Sequence, residues 1–428
     1  MKPLSGKKLL VLGGAANEVP LVERAQELGV YVIVADYHTD FTLSPAKKIA
    51  EEAWTISWAD IDGLEKLCRE AKVDGVLAGY SELRVDSMIQ LCARMNMPCY
   101  ITPEQLEITR DKIKFKETCR ASGVPVVHEY DGPESVNKFP VIVKPVDRAG
   151  SIGISIASNP EELAKAYDYA MEMSITKQVI IEDYISNGIK VDMYYQILDG
   201  EIRLLPATDT IFAQGNGIDR VVQNGWTVPS VHMDAFTRKV DPAMRKMIEN
   251  MGMHNGYIFF SGFALPEDEF VFFECGYRLC GGHFYHFWPF YGGWDTQDLL
   301  IYHALTGSAA AIREESRNDP DMKCVTVNFD VTRGTVREIV GMEEIAKIPQ
   351  CKMAMTRGYV GQVCTDDTAI LSKVGMVHFC SHSADVLADC VKSVYDLFRV
   401  TGVDGEDMLY DRMDPELIRH WWDDKKKG

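Results

Sequence analysis

Residues 139–154 read FPVIVKPVDRAGSIGI, and this stretch says more about the fold than any other part of the chain. The run PVIVKPV predicts an apolar β-strand, and the glycines after it predict a loop before the next strand, GISIA. Lys144 lies inside the apolar run, where a buried cation costs free energy unless it is paired. We therefore interpret Lys144 as a functional lysine beside a glycine-bearing loop.

The sequence before this stretch alternates strand and helix patterns. KLLVL at residues 8–12 is an apolar run that ends at Gly13-Gly14, a helical pattern follows, and YVIVA at residues 31–35 ends at Asp36. Such runs are typical of strands buried in a parallel sheet. The alternation predicts a Rossmann-like domain over residues 1–103. GGAANE is a distant relative of the dinucleotide fingerprint, so a ribose contact through Asp36 is the alternative to a substrate-binding module.

The sequence after this stretch is richer in strand patterns. QVIIEDYI at residues 178–185 predicts a strand, and Asp199-Gly200 predicts a hairpin turn. GYIFFSGFAL and EFVFFECGYRL predict a second hairpin, and residues 384–399 a late helix. We predict a mixed α/β and α+β chain, in which a two-lobed region over residues 104–310 precedes a small α+β domain over residues 320–420.

Composition and charge exclude several classes of protein. The 428 residues suffice for two or three domains, and the formal net charge of −18 argues against a nucleic-acid-binding protein, which needs clustered lysine and arginine. No run of about 18 apolar residues predicts a membrane span. The eleven cysteines include no CxxC pair and suit reduced thiols, and we find no signal peptide at the start. We therefore expect a cytoplasmic protein.

Five features follow one another in a fixed order along the chain. They are Asp111-Lys112, VIVKP with Lys144, the loop 147–154, IIEDYI with Glu182, and FFECGYR with Glu274 and Arg278. In this order they resemble the ATP-grasp superfamily over roughly residues 1–400. The resemblance is to carboxylate–amine and amino-acid ligases, and also to the carbamoyl-phosphate synthase large-chain and biotin carboxylase type.

The resemblance implies three domains. These are the Rossmann-like N-terminal domain over residues 1–103, a two-lobed ATP-grasp domain over 104–310, and a small α+β C-terminal cap domain over 320–420. Within the ATP-grasp domain we place the small lobe at about 112–187 and the large lobe at about 188–310.

A polyphosphate site is predicted from two lysines and a loop. Lysines from separate elements can converge on phosphates, and a glycine-bearing loop lets backbone N–H groups close over them. The resemblance assigns ATP to Lys112, Lys144 and four loop residues, Arg148, Gly150, Ser151 and Gly153. It assigns Mg²⁺, or alternatively Mn²⁺, to Glu274, and catalytic roles at the transferred phosphoryl group to Lys144 and Arg278. For Lys112 alone, an exposed helix position is the alternative.

A nucleoside site is predicted at the segment that follows Lys144 in the ordered set. Glu182, Tyr184 and Ile185 match the hinge at which the family binds adenine. Lys190 stands where the family commonly has an acidic residue for ribose, which is a departure from the pattern. A charged strand end is the alternative for Glu182.

The metal site departs from the family pattern more strongly. The position twelve before Glu274 is Gly262, where the family has an acidic residue, and the position two after it is Gly276, where the family has asparagine. One carboxylate is a poor cage for two Mg²⁺ ions, which prefer octahedral oxygen ligands. Three interpretations stay open: Glu274 with phosphates and waters, a second acidic residue that has moved in, or nucleotide binding without turnover.

Substrate residues are predicted at two places. Glu82 lies just beyond a strand end, where open parallel sheets present ligand groups. Gly281, Gly282 and His283 follow Arg278 in a segment rich in glycine and aromatic residues, for which core packing is the alternative. No third ligand accompanies the histidines of this segment, so we do not expect zinc.

The function implied by the resemblance is an ATP-dependent ligase that activates a carboxylate as an acyl phosphate and joins it to an amine, with amino acids or small peptides as the substrate class. The alternatives are a carbamoyl-phosphate-type carboxylate kinase and a non-catalytic nucleotide-binding regulatory protein. We expect ATP and Mg²⁺ as cofactors, small-molecule carboxylate and amine partners, no nucleic acid and no membrane. A homodimer is the assembly we consider first, since it is the commonest.

Overall fold

A computed structural model describes residues 3–148, 152–213, 222–312, 318–365 and 373–423. The strands form four sheets with helices packed around them. No helix within these ranges is long and apolar enough to cross a membrane. The eleven cysteines are free thiols, as the sequence predicts.

The N-terminal sheet is parallel, with the strand order β3-β2-β1-β4. Its elements are β1 Lys8–Leu12, α1 Val19–Glu27, β2 Tyr31–Ala35, α2 Ala46–Ile49, β3 Glu52–Trp54, α3 Ile61–Ala71, β4 Gly75–Ala78 and α4 Glu82–Met95. Gly13 turns the chain after β1 with φ +102°. Gly14 N donates to Asp36 Oδ2 at 3.2 Å, so the Asp36 carboxylate ties this turn to the end of β2. The predicted Rossmann-like alternation is confirmed.

The second sheet is antiparallel and carries Lys144. Two helices lead into it, α5 Pro103–Arg110 and α6 Lys112–Ser122, and its own elements are β5 Glu129–Tyr130, β6 Val141–Pro145, β7 Ser155–Ala157, α7 Pro160–Met173 and β8 Val179–Asp183. The strand order is β5-β8-β6-β7. The helix α7 covers a small separate core that includes Val141, Val143 and Leu163. The apolar run around Lys144 is therefore a central strand.

The third sheet has eight antiparallel strands in the order β13-β12-β9-β10-β11-β14-β18-β16. Its first five strands and their helices are β9 Ile189–Leu198, β10 Glu201–Phe212, β11 Gln223–Val228, α8 Met233–Lys239, α9 Asp241–Asn250, β12 Gly256–Leu265, β13 Glu269–Gly276 and α10 Thr296–Thr306. The hairpin between β9 and β10 turns at Asp199-Gly200, both with positive φ, as predicted. The core of this sheet is continuous with that of the N-terminal sheet.

The remaining strands come from the last part of the chain, and three of them, β14, β16 and β18, join the same sheet. The elements are β14 Lys323–Asp330, β15 Gly334–Val340, α11 Met342–Ile345, β16 Cys351–Thr356, β17 Val363–Cys364, β18 Lys373–Ser381, α12 Ala384–Leu397, β19 Arg399–Gly402 and α13 Pro415–His420. A small sheet, β17-β15-β19, packs beside them on a second core. The strand β14 pairs with β11, so one sheet spans the interval 310–320, and the domain boundary predicted there stays a prediction.

Candidate active site

A cavity of about 560 Å³ lies where the three parts of the chain meet. The loops after β1 and β4 form one side, the strands β9, β12 and β13 form the floor, and residues at the ends of β16 and β18 form the far side. Its lining includes Asn17, Tyr80, Asp192, Ser261, Glu274, Arg278, Arg357 and Lys373. Charged side chains of both signs thus face one space.

Next to the β13 edge of this floor lies a buried cluster of lysines and glutamates. The pairing of β6 with β8 brings Glu182 beside Lys144, whose Nζ lies 2.7 Å from Glu182 Oε2. The other carboxylate oxygen of Glu182 contacts Lys116 Nζ, which also lies 3.3 Å from Glu129 Oε1. Lys116 and Glu182 are 0% and 2% exposed. The fold therefore buries two cations against two carboxylates here.

The pKa of Lys144 reports which charges surround it. Burial, with the positive charges of Lys116 and Lys112, lowers this pKa to about 7, while the Glu274 carboxylate acts in the opposite direction. Lys144 Nζ also lies 5.3 Å from the ring centroid of Phe273, the neighbour of Glu274. Lys112 and Glu274 are therefore among the charged groups that act on the buried Lys144 ammonium.

Lys112 begins α6 and holds the start of the glycine-bearing loop. The helix is capped by Asp111, whose Oδ1 accepts hydrogen bonds from Ile113 N and Lys114 N. Lys112 Nζ donates to Val146 O at 3.2 Å and to Arg148 O at 2.8 Å. Lys112 is therefore directed at the loop, and the alternative of a solvent-facing helix lysine is not what the structure shows.

The loop residues differ in where their side chains lie. Arg148 Nε donates to Met173 O at 2.7 Å, which turns the guanidinium toward the end of α7. Gly153 has φ +75°, and a Cβ there would lie 2.7 Å from Pro145 Cγ and 2.8 Å from Met173 Cβ, so only glycine fits. Gly150 and Ser151 fall outside the described residues, and their contacts with ATP stay a prediction.

A row of oxygen-bearing side chains crosses the floor of the cavity. Ser261 on β12 pairs with Glu274 on β13 and with Asp192 on β9, and cross-strand partners face the same side of a sheet. The register places Ser261 opposite Glu274, and a bulge directly beside this pair leaves Phe273 without a partner, so that Gly262 stands opposite Phe272. Ser261 Oγ donates to Asp192 Oδ1, and Lys190 Nζ lies 2.9 Å from Asp192 Oδ2.

These oxygens fit a hard cation such as Mg²⁺. The carboxylate and hydroxyl groups of Asp192, Ser261 and Glu274 supply oxygen ligands. Asp192, on β9, is thus a second acidic residue near Glu274, although Gly262 takes the position where the family has an acidic residue. In the described part of the chain no three His, Cys, Asp or Glu side chains form a closed metal cage. Phosphate oxygens and water would have to complete the coordination. A Cβ at Gly276 would lie 2.5 Å from Phe259 Cζ, so asparagine at this position would require the Phe259 ring to shift.

Arg278 joins the large sheet to the N-terminal sheet. Its Nη2 donates to Glu82 Oε1 at 3.0 Å, and its guanidinium lies 5.4 Å from the ring centroid of Phe259. Glu82 begins α4, directly after the loop that follows β4. Two residues predicted at separate places are therefore one ion pair at the cavity.

His283 lies under the cavity wall with its ring fully buried. Its Nδ1 lies 2.6 Å from Tyr285 Oη and its Nε2 3.2 Å from Asn17 Oδ1. Burial lowers the pKa of His283 well below its usual value, so the ring is neutral. Gly281 and Gly282 line the cavity. The histidine is thus a buried group whose ring nitrogens both have partners, as in the core-packing alternative, and a substrate contact by the two glycines stays a prediction.

The predicted hinge residues follow β8. Tyr184 N donates to Pro140 O at 3.3 Å, and the Cγ2 atom of Ile185 lies 3.0 Å from where a Cβ of Gly188 would be. Both carboxylate oxygens of Glu182 are held by lysines. In this structure Glu182 positions Lys144, and an adenine contact by Tyr184 or Ile185 stays a prediction.

Sequence reasoning missed Lys116, Asp192 and Ser261. Lys116 follows Lys112 at the helical spacing of four, which places both on one face of α6. Asp192 interrupts the apolar strand VDMYYQIL, a signal like that of Lys144 in VIVKPV. Ser261 gave no signal of its own in the sequence, and the pairing of β12 with β13 is what places it opposite Glu274.

Comparison with known proteins places these features among ATP-dependent enzymes. A family model described as the D-ala D-ala ligase C-terminus matches residues 127–251. A formate-dependent phosphoribosylglycinamide formyltransferase of Synechococcus sp. is 24% identical over 283 residues, which are 63% of this chain and 70% of that protein. A D-alanine–D-alanine ligase of Fusobacterium nucleatum is 29% identical over 174 residues, 39% of this chain and 55% of that one.

A solved structure extends the likeness over nearly the whole chain. The biotin carboxylase domain of Hydrogenobacter thermophilus 2-oxoglutarate carboxylase, solved in complex with MgADP, ADP and bicarbonate, superimposes on this chain with a TM-score of 0.75 at 17% identity. The match covers 99% of this chain and 94% of that one. At this identity the likeness concerns the fold alone.

Proposed function

We propose that the chain is a member of the ATP-grasp superfamily and acts as an ATP-dependent carboxylate–amine ligase. The reaction would activate a carboxylate as an acyl phosphate and join it to an amine, with amino acids or small peptides as substrates. The observation that carries the proposal is the meeting of Lys112, Lys144 and Glu274 beside one cavity.

The protein residues of the site divide into a phosphate side and a metal side. Lys112 and Lys144 would hold the phosphates as point charges, and the buried Glu182 keeps the Lys144 ammonium in place. Glu274 and Asp192 would hold Mg²⁺, which supplies charge neutralisation between the phosphate oxygens. The glycine-bearing loop would limit the access of water, from which an acyl phosphate must be protected.

Arg278 would bind the acid substrate. The guanidinium lines the cavity and is held on its other side by Glu82, so it can meet a carboxylate without free rotation. Charge that develops on the transferred group would then be stabilised by a fixed cation. The amine would enter between Arg278 and the glycines Gly281 and Gly282.

The proposal is tested by ADP release in a screen of amino-acid and small-peptide pairs with Mg·ATP. We expect release that needs both an acid and an amine, and a loss of at least about a hundredfold in Lys144→Ala, since one preorganised charge at the phosphates contributes about that much. Lys165→Ala is the matched control, because Lys165 is an exposed lysine on α7. Equal turnover in the two variants contradicts the assignment of Lys144.

The same assay separates the two alternatives. A carboxylate kinase of the carbamoyl-phosphate type would release ADP with the acid alone and leave a phosphorylated product when no amine is present. A regulatory protein would bind ATP tightly and release no ADP with any pair. The predicted homodimer and the domain boundaries near residues 103 and 310–320 are further proposals, measured by light scattering and limited proteolysis.

A further inference from the structure

The far side of the cavity holds two buried donors that have no acceptor. Trp226 on β11 and Arg357 after β16 both line the cavity. Their Nε1 and Nε atoms, respectively, are buried and have no hydrogen-bond partner in the part of the chain that the structure describes. Buried donors are nearly always paired, because an unpaired one loses the hydrogen bond it had with water. Two of them at one cavity indicate an acceptor supplied by a ligand.

The charge of this corner indicates what kind of acceptor. Arg357 Nη2 donates to Gly281 O at 2.5 Å, a neutral partner that fixes the guanidinium without compensating its charge. Lys373 Nζ, also at the cavity, lies 3.1 Å from Asp330 Oδ2, which neutralises that lysine. The positive charge of Arg357 is therefore not compensated by an ion pair, although the net charge of the chain is −18. An uncompensated buried cation favours an anionic ligand over a neutral one.

The walls of the corner limit the size of the ligand. The Trp226 ring lies 5.2 Å from the ring of Phe284, which lies 5.5 Å from that of Tyr194. These rings close one side of the space, and both Arg357 and Arg278 line the cavity. The two arginines then stand at separate places along the same cavity.

We propose that Arg357 and Trp226 bind a second anionic group of the substrate, a carboxylate or a phosphate, distinct from the carboxylate that is activated. The substrate class is therefore a small acid with two anionic groups, bound by a planar guanidinium fork and an indole N–H. The statement that this ligand is a substrate rests on the proposed function, whereas the binding of the anion does not. Arg357 and Trp226 would act as specificity-determining residues.

Calorimetric titration of the full chain with succinate, glycerol phosphate and neutral succinamide tests the proposal. We expect one of the two anions to bind with a dissociation constant of about 1 mM or lower, and succinamide not to bind at that level. The two anions distinguish the carboxylate from the phosphate. Failure of both anions to bind, or equal binding of succinamide, overturns the proposal.

Matched variants identify the residues. Loss of a charge-assisted hydrogen bond in Arg357→Gln should weaken anion binding about ten- to a hundredfold, and Trp226→Phe should weaken it about threefold to tenfold while keeping the aromatic wall. Arg337→Gln, at an exposed position on β15, removes the same charge away from the cavity and should have no effect. Wild-type affinity in both Arg357→Gln and Trp226→Phe overturns the proposal, and Trp226→Phe decides the matter if Arg357→Gln does not fold.

A parallel titration with Mg·ATP separates this inference from the proposed function. Arg357→Gln should bind Mg·ATP like the wild type, because Arg357 lies on the far side of the cavity. Anion binding that depends on Arg357 in a protein without ATP turnover would keep the inference and reject the ligase. Turnover of monoanionic acids, unaffected by Arg357→Gln, would keep the ligase and reject the inference.

Discussion

The affinity for ATP should fall as the pH rises through 7, because Lys144 must be charged to hold phosphates. Burial and two neighbouring lysines lower the pKa of the free protein's Lys144 to about 7. A bound polyanion raises this pKa again, since opposite charges favour the ionised form. Binding above pH 7 therefore requires the uptake of a proton, which costs about 1.36 kcal/mol per pH unit.

The expected size follows from that pKa. The dissociation constant for Mg·ATP should rise about tenfold between about pH 6 and about pH 8. Lys144→Arg keeps its charge over this range and should show a flatter profile. Lys116, whose pKa burial lowers to about 8, is present in both proteins, so the difference between the two profiles isolates Lys144.

Isothermal titration in two buffers with different ionisation enthalpies measures both the affinity and the protons taken up. We expect the wild type to take up more protons than Lys144→Arg at pH 8. Parallel profiles for the two proteins, or an affinity that increases with pH, would refute the reasoning, because either result means that Lys144 stays charged or does not meet the phosphates.

Three further predictions test other parts of the site. Glu182→Gln should lower the free energy of unfolding in urea by about 3–5 kcal/mol, because it leaves buried lysines without their carboxylate, whereas exposed Glu161→Gln should change it by less than about 0.5 kcal/mol. Asp192→Asn should weaken Mn²⁺ binding to the ADP complex about tenfold or more, measured by electron paramagnetic resonance, and exposed Asp168→Asn should not; equal Mn²⁺ affinity in the two variants removes Asp192 from the metal site. Lys112→Ala should speed proteolysis of the loop it holds and weaken Mg·ATP binding about tenfold, and unchanged values of both would show that Lys112 does not order the loop.

Much of the fold could be predicted because its signals are local. The runs KLLVL and YVIVA gave two strands at their observed bounds, and Asp199-Gly200 gave the hairpin turn. Such patterns depend on neighbouring residues alone. The continuity of the large sheet across residues 310–320 depends on β11 meeting β14, a pairing of segments about a hundred residues apart that no local pattern encodes.

The site was predictable where a polar residue interrupts an apolar run. Lys144 and Asp192 both show this pattern, although only Lys144 was predicted as a site residue. The position of Ser261 could not be predicted, because it depends on the register between β12 and β13, which no local pattern specifies. The structural role of Glu182 could not be predicted either, because its partner Lys116 lies on a helix and precedes it by sixty-six residues in the chain.

The long sheet has a consequence for dissecting this protein. One edge of β11 pairs with β10, and from Gly225 to Val228 the other edge pairs with β14, which belongs to the last part of the chain. A fragment that stops before β14 would expose unpaired amide and carbonyl groups along one edge of β11. Such an exposed strand edge promotes aggregation with other chains. A minimal nucleotide-binding fragment would therefore have to retain the C-terminal strands or carry polar substitutions along that strand edge.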